Sequence, residues 1–276
     1  MNGLMKMINK RFLKKANEWK NKEVPSEREK PATEKRRNTR MPNFDYFFLG
    51  GDLGRETHEA IVRKYNADHP FVTKNVFYDE DDNLIKGSKP GYVVAVNEFL
   101  RDRDLRTANS YDVQKAIEKG KLNFYGVYED LGLVLYSEEG ENGYLARNLA
   151  NQVRQRNGTL DFPTLIQLSG LELKVDEDAP QGLSFKLIDA SQTIVAPQLS
   201  SENNLEKFSK VDENGLPIFE ENGNHTFYAG SDWLRILIRN RNFDLIAWSK
   251  NLVISNDAGR LVICREVTRI NLGGNN

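Results

Sequence analysis

The chain has 276 residues, 39% of them hydrophobic and 29% charged, so it can bury a real core while being polar enough that part of it should lie outside one. Its single cysteine, Cys264, rules out an intrachain disulfide and a CxxC zinc site. The formal net charge of −1 hides an asymmetry: residues 1–50 hold 13 Lys or Arg against 6 Asp or Glu, and the rest hold 26 against 34, which makes a basic arm of +7 on an acidic body of −8.

In "MNGLMKMINKRFLKKANEWK", Leu4, Met5, Ile8, Phe12, Ala16 and Trp19 recur at steps of three and four. That spacing predicts an amphipathic helix with Lys6, Lys10 and Lys14 on its other face. The next stretch, "NKEVPSEREKPATEKRRNTRMPN", has three prolines and no aromatic residue, and reads as an extended tether. No run of 18 apolar residues exists, so a transmembrane helix is not expected, and lysines interrupt any secretory signal.

The body is expected to begin at "FDYFFLGG". "PFVTKNVFY" and "GYVVAVNEF" read as strands of a hairpin joined by the acidic turn "DEDDNLIKGSKPG". "NSYDVQKAIEKG" reads as a helix capped by Ser110, with Val113, Ala116 and Ile117 inward. "LNFYGVYEDLGLVLYS" suggests two strands about a tight turn, and "GYLARNLANQVRQRNG" a helix with Leu145, Leu149 and Val153 inside, stopped by Gly158. Towards the C-terminus, "DWLRILIRN", "FDLIAWS", "NLVIS" and "RLVICREV" predict an antiparallel meander. In its first strand Leu234, Ile236 and Ile238 face the core, and Arg235 and Arg239 face water. The fold class is therefore α+β, organised as an arm over 1–45, a mixed body over 46–175 and a β-rich part over 176–276 that could continue the body.

Few stretches suggest chemistry. In "FFLGGDLGRETHEA" an apolar strand runs into a DxG turn, as in sugar-kinase and heat-shock ATPase folds, where glycines bring backbone amides to a phosphate. A second such loop is missing, so a plain strand-to-helix connection is the simpler reading. "YDEDDNLIKG" alternates Asp79, Asp81 and Asn83 like a calcium loop, but Leu84 and Pro90 occupy the places that need Gly and Glu. Glu138, Glu139 and Glu141 read as a charged turn, and His58, His69 and His225 lack metal-ligand spacing. Cys264, inside "RLVICREV", is expected to be a small buried hydrophobe.

These observations predict a structural, non-catalytic subunit of a multi-subunit assembly, without cofactor or metal. Its docking contacts would be Leu4, Ile8, Phe12 and Trp19, and Arg36, Arg37 and Arg40 would be electrostatic pins. The partners would be other protein subunits, copies of itself included, and not a membrane. In organisation alone the chain looks like tailed-phage virion proteins, which implies a head, connector or tail component located in the virion, and otherwise in the cytoplasm. Two alternatives stand beside this: a ribonucleoprotein component with nucleic-acid phosphates on the tether arginines, and a nucleotide-binding enzyme using Asp52 of "GGDLG".

Overall fold

A computed structural model describes residues 44–266, which belong to the second of two units of the chain, Pro42–Asn276. The docking residues Leu4, Ile8, Phe12 and Trp19 and the cations Arg36, Arg37 and Arg40 lie outside the described residues, as does the expected N-terminal helix. The described body mixes helices and antiparallel strands. In chain order come β1 (Phe44–Phe48), α1 (Gly51–Tyr65), β2 (Phe77–Asp79), β3 (Leu84–Lys86), α2 (Pro90–Leu100), β4 (Leu105–Thr107), α3 (Ser110–Glu118), β5 (Glu129–Leu135) and α4 (Gly143–Asn157). There follow β6 (Thr164–Gln167), β7 (Leu171–Val175), β8 (Leu183–Leu187), β9 (Thr193–Val195), β10 (Lys207–Val211), β11 (Pro217–Phe219), β12 (His225–Ala229), β13 (Leu234–Arg239), β14 (Leu245–Ser249) and β15 (Val262–Glu266).

Eight strands form the main sheet in the order β11-β10-β12-β14-β13-β5-β6-β9, and three form a smaller one, β1-β15-β4. The β2-β3 and β7-β8 pairs stand as hairpins. Every pairing in the main sheet is antiparallel except that of β12 with β14. Two apolar clusters sandwich this sheet. One joins Leu133, Leu135, Leu234 and Ile236 to α2 and α4, and the other joins Val134, Leu237, Leu245, Phe208 and Phe227 to Val113 and Ala116 of α3. Each fully buried Leu or Phe contributes about 1.5–3 kcal/mol, so the strands with both faces covered anchor the fold.

Several expected elements are correct. The helix Gly143–Asn157 buries Leu145, Leu149 and Val153 and ends at Gly158 in the left-handed region (φ 77°). The helix Ser110–Glu118 is present too, although its cap lies one residue earlier than expected. The Asn109 side chain accepts from the Asp112 N–H at 3.0 Å and the Asp112 carboxylate accepts from the Asn109 N–H at 3.0 Å, a reciprocal box that Ser110 cannot make. Cys264 is buried in β15, and burial raises its thiol far above the usual range. In the acidic turn, the carboxylate of Asp79 accepts from the Asp81 and Asp82 N–H groups and, with Asp82, pairs with Lys86, so these acids close a hairpin.

Other expectations need correction. "GYVVAVNEF" is not a strand but the interior of α2, with Tyr92, Val93, Val94, Ala95 and Val96 all buried. A helix enclosed on every side is apolar all round, so its run has neither helical nor strand periodicity. Pro90 at its first turn was the usable signal. "LNFYGVYEDLGLVLYS" supplies one strand, because Gly126 turns the chain at φ 79° well before β5 begins. The meander holds only for β13 and β14. "NLVIS" is not a strand, and β15 leaves to pair with β1 and β4 in the smaller sheet. Arg239 is only 2% exposed, because the face of β13 opposite Leu234 and Ile236 is covered as well.

Gly91 lets α2 pass directly over the segment between α1 and β2: a Cβ there would lie 2.1 Å from the Phe71 carbonyl oxygen. Gly91→Ala, which would favour an isolated helix by about 1 kcal/mol, is expected instead to destabilise this protein by about 1–3 kcal/mol. A lowered urea midpoint with an unchanged m-value checks this.

Candidate functional site

The site begins with an irregularity in β5. Its ladder with β13 runs Leu135↔Leu234, Leu133↔Ile236 and Gly132↔Leu237, then shifts to Asp130↔Ile238 and Glu129↔Arg239, leaving Leu131 unpaired. One extra residue inverts the alternation of a strand beyond it. Without this bulge Glu129 would share the face of Leu133 and Leu135. With it, Asp130 takes that face beside Ile238, and Glu129 turns to the opposite face with Arg239.

Asp130 and Tyr128 thus look out on one side of the sheet end, where Ile238, Asn240 and Arg241 continue from β13 and Ile254, Asn256 and Ala258 arrive from the loop before β15. Together with Gly126 and Val127 they enclose a cleft of about 340 Å³. Two glycine turns meet beside Asp130 by backbone contact. Gly87 donates its N–H to the Gly259 carbonyl at 3.0 Å, and a Cβ on Gly259 would stand 2.3 Å from the Ser88 nitrogen. The Ser88 N–H donates to Ser255 Oγ at 3.0 Å, and the Tyr128 hydroxyl donates to the Ser88 carbonyl and accepts from the Asn256 N–H, both at 3.2 Å.

Asp130 is 2% exposed, and its Oδ2 has no hydrogen-bond partner among the described residues. Burial pushes its carboxyl up to about 7, against smaller opposing effects of the Ser88 hydroxyl and the Lys89 ammonium. Ionising it inside the fold therefore costs about 4 kcal/mol more than in water. Lys89 is itself fully buried and held down to about 8, first by burial and then by Lys74. Its ammonium donates to the carbonyls of Pro70 at 2.8 Å and Lys74 at 2.6 Å, so it acts on Asp130 through space and not as a bonded partner. Asp130 is thus a buried acid among the residues that line the cleft, a combination that marks a candidate site.

On the other face the buried polar groups are bonded only in part, since Glu129 Oε2 and Arg239 Nε also have no partner among the described residues. Glu129 Oε1 accepts from the Val262 N–H at 2.7 Å, and burial holds this carboxyl well above the usual carboxylate range. Arg239 lies over the Phe208 ring at 5.8 Å and reaches Ser110 Oγ at 3.5 Å, and burial pushes its guanidinium down to about 10. Arg106 grips Asp112 with both terminal nitrogens, fixing the start of α3 to β4.

None of the other sequence candidates joins the cleft. Asp52 lies in the first turn of α1, behind Gly50 and Gly51. Glu138 pairs with Arg154 and Glu141 with Lys250, and His58 Nδ1 meets the Tyr92 hydroxyl at 2.9 Å. Among the described residues no group of acidic, His or Cys side chains could hold a metal ion, and no helix is long and apolar enough to cross a membrane. The residues that do form the cleft were read from sequence only as parts of strands and turns, Ile238 among them as a core-facing strand residue and Ile254 as part of the strand "NLVIS". Their sole local signals are the paired glycines of "GSKPG" and "NDAG". The chain matches no protein-family model, and neither a curated protein nor a solved structure matches it.

Asp130 also sets a pH dependence. Its folded carboxyl holds the proton more tightly than the unfolded chain does, so its contribution to stability falls as pH rises from about 4 to about 7. Asp130→Asn is expected to flatten that decline, seen as a smaller loss of urea midpoint across the same range than the wild type shows.

Proposed function

We propose that the protein is a non-catalytic subunit of a larger assembly, held to its neighbours through the N-terminal arm. The observation that carries this reading is the segregation of charge, +7 over residues 1–50 against −8 over the remainder. A basic amphipathic segment joined to an acidic body through a proline-bearing tether suits attachment to another subunit, including a second copy whose body supplies the opposite charge. Leu4, Ile8, Phe12 and Trp19 would supply apolar contact, and Arg36, Arg37 and Arg40 would hold the register electrostatically. A virion head, connector or tail is the setting proposed, on the strength of this organisation alone.

The body supports the same reading by leaving apolar side chains in water at the ends of its main sheet, with Val195 on β9 and Ile218 on β11 both more than half exposed. Such residues are ordinary singly, and become contact area when a neighbour is brought close.

Replacing Ile8, Phe12 and Trp19 together by Asp is expected to leave the purified chain monomeric while its thermal unfolding is unchanged, with native mass measured by light scattering. A wild-type chain that is itself monomeric at all concentrations removes self-assembly. A triple variant that assembles like the wild type removes the docking role of the arm.

A further inference from the structure

The strands that border the sheets of the body have their outer edges closed in one of two ways. Some are only three residues long: β2, β3, β9 and β11, the last of which also begins with a proline that has no N–H to offer. Others are covered by side chains. The Thr107 N–H of β4 donates to Asn97 Oδ1 at 2.8 Å, and the Leu173 N–H of β7 donates to the Glu98 carboxylate at 2.5 Å. On β8, the Gln152 side chain accepts from the Leu187 N–H at 2.7 Å and donates to the Phe185 carbonyl at 2.8 Å.

β1 has neither protection. It is five residues long and borders the smaller sheet, with β15 as its strand partner. Leu49, just beyond it, donates its N–H to the Leu261 carbonyl at 2.8 Å, in register with the ladder. Bonding groups alternate along a strand, so Phe47 and Asp45 also point theirs at β15, while Phe44, Tyr46 and Phe48 turn theirs outward. The N–H and C=O groups of these three have no hydrogen-bond partner among the described residues.

The side chains of "FDYFF" indicate what fits there. Phe44, Tyr46 and Phe48 belong to one apolar cluster, and Phe47 packs on the other, with the Arg265 guanidinium over its ring at 5.5 Å. An antiparallel copy of this strand centred on Tyr46 sets Phe44 against Phe48, Tyr46 against Tyr46 and Asp45 against Phe47. The first two are aromatic pairs. The third brings the half-exposed Asp45 carboxylate to the ring that carries the exposed Arg265, a pairing of opposite charges.

We propose that β1 is a self-recognition edge, at which two copies of this chain pair their β1 strands antiparallel about a two-fold axis at Tyr46. About six ladder bonds form, two for each pair of outward-facing residues. The contact is isologous, so it closes at two copies. A strand edge this short buries less than the roughly 1,000 Å² of a stable interface. The pairing is therefore weak, with a Kd of about 0.1–1 mM, and acts between copies already held close. For that proximity it rests on the assembly reading, but its chemistry is independent of the arm.

The test is hydrogen exchange resolved to single amides, on the full chain with Ile8→Asp, Phe12→Asp and Trp19→Asp so that the arm takes no part. At about 10 μM the Phe44, Tyr46 and Phe48 amides are expected to exchange fast and those of Asp45 and Phe47 slowly. At about 1 mM the three fast amides should slow about two- to fivefold while the other two stay as they were. Asp45→Arg, at a half-exposed position, should remove the slowing by setting like charges together. The proposal is overturned if Tyr46 exchanges slowly in a monomeric chain, if exchange ignores concentration, or if Asp45→Arg leaves the slowing intact. A wild type that stays monomeric when dilute, while Tyr46 slows when concentrated, removes the role of the arm and supports this edge. A wild type that assembles with Tyr46 still fast removes the edge and leaves the arm.

Discussion

The antiparallel pairing of β5 with β13 is the constraint on which the body depends. These strands lie in the interior of the eight-stranded sheet, and apolar clusters cover both of their faces, so each residue along them must suit one enclosed environment or the other. For most of the ladder that demand is met by Leu, Val and Ile. At one end it is met by charged side chains, and there the bulge at Leu131 decides which acid faces which environment. Bulges persist where they aim a side chain, and this one sends two adjacent carboxyls to opposite sides of a single sheet.

Each side leaves its acid one buried oxygen without a partner, Glu129 Oε2 on one face and Asp130 Oδ2 on the other. Glu129 is enclosed with a backbone N–H to accept from, beside a network in which Arg106, Asp112, Asn109 and Ser110 lock α3 onto the strands. Asp130 differs in being one of the residues that line the cleft. Buried polar groups that are fully bonded specify a fold, whereas an incomplete one marks a place where the fold alone does not account for the residue.

Local features of this fold were legible in the sequence wherever the environment is two-sided. Gly143–Asn157 has one face on a core, and its periodicity identified it correctly; Leu234–Arg239 was found as a strand, but both of its faces are covered and Arg239 does not face water as its alternation suggested. Where enclosure is complete the pattern is lost: α2 is apolar on every side, so "YVVAV" matched a strand equally well. The destination of β15 was hidden for a different reason. Its residues are strand-like, but partnership with β1 rather than β14 is set by contacts more than two hundred residues apart in the chain. The cleft was illegible on the same ground, since Ser88, Asp130, Ile238 and Asn256 come from four separate segments, and the parity inversion that aims Asp130 arises only once β5 is paired.

The eight-stranded sheet closes at each end with a strand of three residues, β9 on one side and β11 on the other. Edges this short present few unpaired backbone groups, and two copies laid edge to edge would gain only a few ladder bonds. Polymerisation by sheet extension is thereby disfavoured, as is the aggregation that long open edges invite. The main sheet can therefore be crowded against other copies with little to gain from pairing backbone to backbone.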